Sequence, residues 1–356
     1  MKRILVILLL VQLCALRGYS QEVHNSQYYS MPLYLNPANA GNSCFDYRGA
    51  LDVRNQWSTA SVPFTSQYLY GDIKRATYFM EESWAGIGVS FLNDIAGDGL
   101  KSTYGAITGA FHKAVSRGND VIWSNGLTLM LVNRSVDYHA LLTDDMWDDF
   151  ANTFRKETVT SEQGKGIKSM FYVDLAIGSK LTFYDGKDSY SFGVSISHLL
   201  QPDESFYKYN VTNNLARKFT IHGDMRKTYS QNSEFILNPS FVVDFQDSGI
   251  YGLLGCNVER PYNYKKTKSF IFGMWFRSTL DVIPTAGMEF NDFKLIASYD
   301  IALSDRAYKN RGGFEISLTY TTGYMNPVEQ ICKYKYLRPV RHGKGAIPCP
   351  KFKTGN

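Results

Sequence analysis

Six histidines, His24, His112, His139, His198, His222 and His342, are the side chains best suited to bind a transition metal or to move a proton near neutral pH. No two stand in the HxxxH or HExxH register that sets a pair of imidazoles on one helical face, so they read as solvated or lumenal residues. The carboxylates of DDMWDDF, Asp144, Asp145, Asp148 and Asp149, offer hard oxygen ligands for calcium. They lack the spaced register of an EF-hand loop, and a solvated short helix or lid is the competing reading. No serine occupies a GxSxG elbow, no GxxxxGKS/T loop is present, and Gly86-Ile87-Gly88 lacks the third glycine of a dinucleotide loop. A Ser, His and acid or amide set of the kind a membrane phospholipase uses is not legible from spacing. The chain therefore reads as non-enzymatic, with no catalytic residue, no metal and no cofactor.

Cysteine use is sparse. Cys44, Cys256, Cys332 and Cys349 follow the N-terminal leader, too few for a disulfide scaffold. Cys332 and Cys349 share a basic C-terminal stretch and are candidates for a disulfide that would staple it; free thiols or a bond to Cys44 are the alternatives. Cys256 falls on the apolar side of its segment with Leu254 and Val258, as a small packed or lipid-facing thiol.

The segments that must position these residues begin with a leader. MKRILVILLLVQLCALRGYS places Lys2 and Arg3 before an apolar run from Ile4 to Leu16 and small residues Gly18 and Ser20 before a cut that leaves Gln21 first. Leu13 is too bulky for a lipobox ahead of Cys14. No later stretch approaches the ~18 consecutive apolar residues of a membrane helix. Lys2, Arg3 and Arg17 in the leader and the Lys/Arg-rich tail from 323 to 356 outweigh the overall charge of +5, which leaves a slightly acidic body between them. A body of that kind lacks the basic face of a nucleic-acid-binding fold.

Aromatic residues make up 15% of the chain, with 25 Tyr and 22 Phe beside 29 Gly, a strand-and-turn composition. In FYVDLAIGSKLTF, Phe171, Val173, Leu175, Ile177, Leu181 and Phe183 alternate with Tyr172, Asp174, Ala176, Gly178, Lys180 and Thr182. That is period two, a strand with one apolar and one polar face. The pattern recurs in 14 segments, near 48–57, 65–73, 84–93, 101–114, 120–134, 170–183, 189–199, 216–229, 233–245, 250–260, 267–278, 281–290, 293–303 and 312–322. Many reach the ~9–11 residues that a tilted strand needs to cross a bilayer. Their apolar faces carry large aromatics and their opposite faces Gly, Ser, Thr and charge, the outward-apolar pattern of a transmembrane barrel with Lys180, Asp300 and Glu315 in a wet lumen. The rival is an exported all-β protein of two tandem sandwiches, but no Pro- or Ser-rich linker divides the chain.

The expected fold is all-β: a transmembrane up-and-down antiparallel β-barrel of about 14 strands. It comprises a signal peptide at 1–20, an N-terminal periplasmic or plug segment at 21–47, the barrel at 48–322 and a basic periplasmic tail at 323–356, in the outer membrane. With the N-terminus periplasmic, joins after odd-numbered strands face outward and include the long ones at 135–169 and 200–215. Pro239 is expected at a bulge or lumenal bend.

QYYSMPLYLNPANAG at 27–41, RNQW at 54–57 and PFTSQYLYGDI at 63–73 resemble the start of the PorP/SprF family of type IX secretion outer-membrane proteins, with its SQY, NPA.AG and RxQW motifs. FKLIASYDIALSD at 293–305, GGFEISLTY at 312–320 and IPCPKF at 347–352 resemble its closing strands and terminal element. The motif residues are Tyr34, Asn36, Pro37, Ala40, Gly41, Arg54, Gln56, Trp57, Tyr299, Asp300 and Glu315. The resemblance implies an accessory barrel of type IX secretion and gliding in Bacteroidota. Its partners would be periplasmic ring lipoproteins, an exported surface protein or adhesin, and outer-membrane lipid. A channel for small hydrophobic solutes is the alternative. In that frame the NPANAG segment tucks into the barrel or seats its first strand, with Pro37 and Gly41 fixing the path, and a plain strand-entry turn is the competing reading. Trp57 anchors at the interface, with Arg54 and Gln56 on the opposite face. Asp300 and Glu315 pair across the closing seam with Lys294, Arg277 or Arg54, in structural rather than catalytic roles.

Overall fold

The computed structural model describes residues 24–43, 45–56, 63–76, 83–97, 99–116, 120–138, 140–141, 146–148, 153–155, 168–185, 188–206, 213–229, 235–247, 249–262, 268–303 and 312–322. Fourteen antiparallel strands close on themselves. In chain order they are β1 (Tyr47–Gln56), β2 (Phe64–Ala76), β3 (Ser83–Ala96), β4 (Leu100–Ala114), β5 (Val121–Val136), β6 (Ser169–Asp185) and β7 (Asp188–Ser197). There follow β8 (Lys218–Tyr229), β9 (Phe235–Gln246), β10 (Gly249–Pro261), β11 (Lys268–Arg277), β12 (Asp281–Phe290), β13 (Phe293–Ala302) and β14 (Gly313–Thr322). Each strand pairs with its sequence neighbours, and β1 pairs with β14 from Tyr47↔Thr322 to Gln56↔Gly313. Closure gives every strand a partner on both sides, which is what a membrane demands of a β structure.

Burial follows the period-two pattern. Phe91, Ile107, Leu129, Phe219, Leu254 and Phe272 are exposed on the outside, Ile107 and Leu254 each to 61%. Their strand neighbours Leu92, Thr108, Met130, Thr220, Leu253 and Ile271 are buried on the inside. A sandwich would show the reverse, because its apolar rows would meet in a core.

Pro239 does not form a bulge. It lies on the outer face opposite Cys256 of β10. The β8–β9 ladder lapses between Asp224↔Ser240 and Lys227↔Leu237 without changing register, so the missing proline N–H is absorbed as a gap in one ladder. Pro284 does the same between β12 and β13, where pairing lapses between Val282↔Ile301 and Thr285↔Ser298.

Between β5 and β6 a two-residue ladder joins Trp147–Asp148 to Thr153–Phe154, where the sequence suggested a short helix or lid. Asp148 pairs with Arg155. Asp144, Asp145 and Asp149 lie outside the described residues, as do His139 and His342, Trp57, Cys44, Cys332, Cys349, the leader and the tail. Cys256 is a free, half-buried thiol. Among the described residues no helix is long and apolar enough to cross a membrane.

Candidate functional site

The inside of the barrel is occupied by its own N-terminal segment. Starting at His24, the segment lies against the far rim, where β1 ends, and descends to Gly41 near the rim where β1 begins. Its backbone is a chain of single turns: a 3₁₀ turn at Tyr28–Ser30, a helical turn at Pro32–Leu35 and a second 3₁₀ turn at Pro37–Asn39. Pro32 and Pro37 each open their turn, where the missing N–H costs nothing. Asn36 stands between them in extended conformation and caps the second turn, its Oδ1 accepting the Ala38 N–H at 2.9 Å.

The upper anchor is a charge cluster at the β1–β14 seam. Arg54 Nη2 donates to Asp300 Oδ2 at 2.6 Å, and its Nη1 donates to the His24 carbonyl at 2.7 Å and Ser26 Oγ at 2.8 Å, 3.4 Å from Glu315 Oε2. Arg277 donates to Asp300 Oδ2 at 2.9 Å and to Ser26 Oγ at 2.5 Å. Glu315 accepts the backbone N–H groups of Ser26 and Gln27 at 2.7 and 2.8 Å. Asp52 accepts from Asn25 Nδ2 at 2.8 Å and Ser30 Oγ at 2.5 Å. Gln27 donates to Ser298 Oγ at 3.0 Å and accepts from Ser317 Oγ at 2.6 Å. These charged and titratable groups are nearly dry, so they depend on one another and on the segment's donors for the hydration they have lost.

The lower anchor is NPANAG. Asn36 Nδ2 faces the carbonyls of Ser179 and Val194 at 3.1 and 3.2 Å and His222 Nε2 at 3.1 Å, so that nitrogen of His222 is the acceptor. The Ala40 carbonyl lies 2.7 Å from His112 Nε2, and the Gly41 carbonyl accepts from Trp84 Nε1 at 3.1 Å. Gly41, at φ +65°, gives its N–H to Asp72 Oδ2 at 2.6 Å, and Arg48 donates to both oxygens of the same carboxylate at 3.0 and 2.8 Å. Inward-facing glycines make the seat. A methyl group on Gly86 would strike the Ala40 carbonyl, on Gly126 the Pro37 carbonyl, and on Gly178 the Asn36 side chain.

Between the anchors the contact is apolar. Tyr28, Tyr29 and Leu35 pack on Val242, Tyr251, Leu253, Trp275 and Ile283, while Met31 and Leu33 join Ala50, Tyr68, Tyr70 and Leu92. Burial pushes the Tyr28 and Tyr29 phenols well above the ordinary tyrosine range, so both remain neutral.

The structure gathers Tyr34, Asn36, Pro37, Ala40, Gly41, Arg54, Asp300 and Glu315 around one buried segment. Arg54 and Arg277 take the seam carboxylates, whereas Lys294 turns to Glu259 at 3.2 Å. Asp300 and Glu315 are not in a wet lumen: Ser26 and Gln27 cover them. Lys180 keeps partial access beside Asp224 and Asn39. Gln56 stays at the far end of β1, half-buried, and Tyr299 faces outward, 46% exposed, in the lipid-facing row.

Spacing concealed Asp52, Ser26, Gln27, Asp72 and the glycine seats. For Asp52, Asp72 and the glycines a signal was available, a charge or a glycine at an inward position of successive strands, whereas Ser26 and Gln27 precede every strand and carried none. One serine–histidine pair does form, His112 Nδ1 to Ser124 Oγ at 2.8 Å on neighbouring strands. His112 Nε2 faces the Ala40 carbonyl, an acceptor, and therefore carries the proton. Both residues are fully buried beneath the segment, where they serve as its seat. No cluster of potential metal ligands occurs among the described residues.

A closed antiparallel barrel with an apolar exterior and its lumen filled from its own N-terminus defines a membrane β-barrel of the outer-membrane type. Residues 18–320 match the family model described as type IX secretion system membrane protein PorP/SprF, and the chain belongs to that family. A search of curated proteins finds no match. Among solved structures the chain is similar to the Ralstonia pickettii toluene transporter TbuX, at 10% identity and a TM-score of 0.51, over 82% of this chain and 93% of that one. The Pseudomonas putida toluene transporter TodX gives 10% identity and a TM-score of 0.48 over 86% and 95% of the two chains. BamA from Haemophilus ducreyi lacking POTRA domains 1–3 gives 6% and 0.41 over 78% and 70%. At such identities the likeness to TbuX concerns the fold alone.

Proposed function

We propose that this chain is a non-enzymatic outer-membrane component of type IX secretion and gliding, a barrel that holds partner proteins at its rims instead of conducting solutes. The observation that supports this reading is the segment from His24 to Gly41, which fills the lumen and is anchored at both ends by buried hydrogen bonds. The longest joins, 137–168 and 198–217, leave the far rim, while β6 turns into β7 and β12 into β13 at the near rim across two residues each. Barrels of this type keep short turns periplasmic and long loops extracellular, so the near rim faces the periplasm. Periplasmic ring lipoproteins dock there, and an exported surface protein or adhesin meets the far-rim loops.

Affinity purification of the tagged full-length chain from native membranes, with mass-spectrometric identification of what accompanies it, tests the reading. Ring lipoproteins or one secreted surface protein should be enriched; recovery of neither overturns it. A second reading, a channel for small hydrophobic solutes, is favoured by the apolar inner wall at Val242, Leu253, Trp275 and Ile283. Tyr28, Tyr29 and Leu35 already cover that wall, so transport would require release of the segment.

A further inference from the structure

Strand β6 outruns its neighbour. Pairing with β5 continues to Ser135↔Ser169, but pairing with β7 ends at Ile177↔Ile196. Past Ser197 the chain leaves the wall: His198 adopts φ 59°, Leu199 N–H reaches the Leu175 carbonyl at 3.1 Å, and Glu204 is drawn inside by Arg134 and Tyr172. Asp174 seals the last rung. Its Oδ1 accepts from Leu175 N–H at 2.8 Å and Leu200 N–H at 3.4 Å, and its Oδ2 lies 2.5 Å from His198 Nδ1.

Beyond that seal no described residue pairs with the edge of β6. Val136 N–H donates to the Lys168 carbonyl, which fixes residues 168, 170, 172 and 174 as those bonded to β5. The N–H and C=O groups of Val173 and Phe171 therefore point away from β5, and no described residue pairs with them. Val173 and Phe171 are exposed on the outer face, Val173 opposite the exposed Leu131 of β5 and Phe171 opposite Asn133, where the apolar band gives way to the rim. An unsatisfied backbone group in hydrocarbon costs several kcal/mol, and open edges at lipid level are not tolerated bare.

We propose that this edge is a docking strand, at which an extended segment of a partner polypeptide adds to β6 and bonds the free backbone groups of Phe171 and Val173. A lipid tail offers neither donor nor acceptor at strand pitch. A second copy inserted in the same direction would present its β6 crossed by about twice the ~35–45° strand tilt, which prevents pairing. The partner segment alternates: its outward side chains are apolar and meet lipid. Main-chain hydrogen bonds supply its affinity, as in other cases of strand addition.

The test uses the full-length chain in its native outer membrane with the photoreactive residue p-benzoylphenylalanine in place of Phe171. Irradiation should yield an adduct with one polypeptide, mapping to a single segment. Val173→Pro, which removes the edge-facing N–H and fixes φ, should lower its yield at least tenfold, and Val173→Thr, which keeps that N–H, should not. Heat-modifiable gel migration reports whether each barrel has folded. An adduct with lipid alone, with a second copy, or unchanged by Val173→Pro overturns the proposal. So does amide exchange at Val173 in the isolated, folded wild-type barrel as slow as at the ladder-bonded Tyr172, since the N–H would then be bonded within the chain. Adduct formation does not depend on whether ring lipoproteins bind the near rim, so the two readings can fail separately.

Discussion

Arg54 and Asp300 stand on β1 and β13, two strands that do not touch, and their side chains meet at 2.6 Å across the inner face of β14. The same guanidinium holds Ser26, so one residue ties the seam to the lumen-filling segment. Arg54→Ala leaves Asp300 and Glu315 buried with one fewer cation, a change expected to cost about 3–5 kcal/mol. The temperature at which the barrel loses its compact gel migration should fall, and proteolysis should reach residues 24–46. Arg54→Lys, which keeps the charge and loses the fork, should fall between Ala and wild type.

Asn36 serves the bend and the wall together. Asn36→Ala removes the cap on Ala38 and the bonds to Ser179 and Val194, at about 1–3 kcal/mol. The expected result is faster amide exchange across residues 36–41, with little change in the barrel strands.

The glycine seats admit a sharp comparison. Gly126→Ala puts a methyl group into the Pro37 carbonyl, whereas Gly109, on the outer face, has nothing within 4 Å of such a group. Gly126→Ala should dislodge the segment and expose Pro37 and Ala38 to protease, and Gly109→Ala should behave as wild type. Equal behaviour of the two would refute close seating.

Conductance separates a filled lumen from an open one. In planar bilayers the intact protein should show little single-channel current. Replacement of Ser26–Ala40 by a Gly/Ser linker should produce a large, steady pore.

The wall was legible because its signal is local: in the stretch from Phe171 to Phe183 every second residue declares its face, and β6 follows it. A plug at 21–47 was one of two readings the sequence allowed, but its contacts were not legible, because 24–46 has no period and its decisive bonds join Ser26 to Glu315 and Asn36 to His222, far apart in the chain. Arg54, Asp300 and Glu315 could be placed on inward faces, and two of the three candidate cations for the seam were the right ones. That Asp300 and Glu315 would be dry could not be read, since their dryness is supplied by Ser26 and Gln27. Pro239 misled for a related reason. A proline on an outer face can spoil one ladder and leave register intact, which spacing does not distinguish from a bulge.

Glu315, which receives the backbone of Ser26 and Gln27, belongs to β14, the strand that closes the barrel on β1. Translation and export deliver the N-terminal residues first, yet their resting place does not exist until β14 has zipped onto β1. The earliest part of the chain to arrive is therefore the latest to settle. In the interval, whatever assists assembly must shelter an unfilled cylinder with ionised groups along its inner seam.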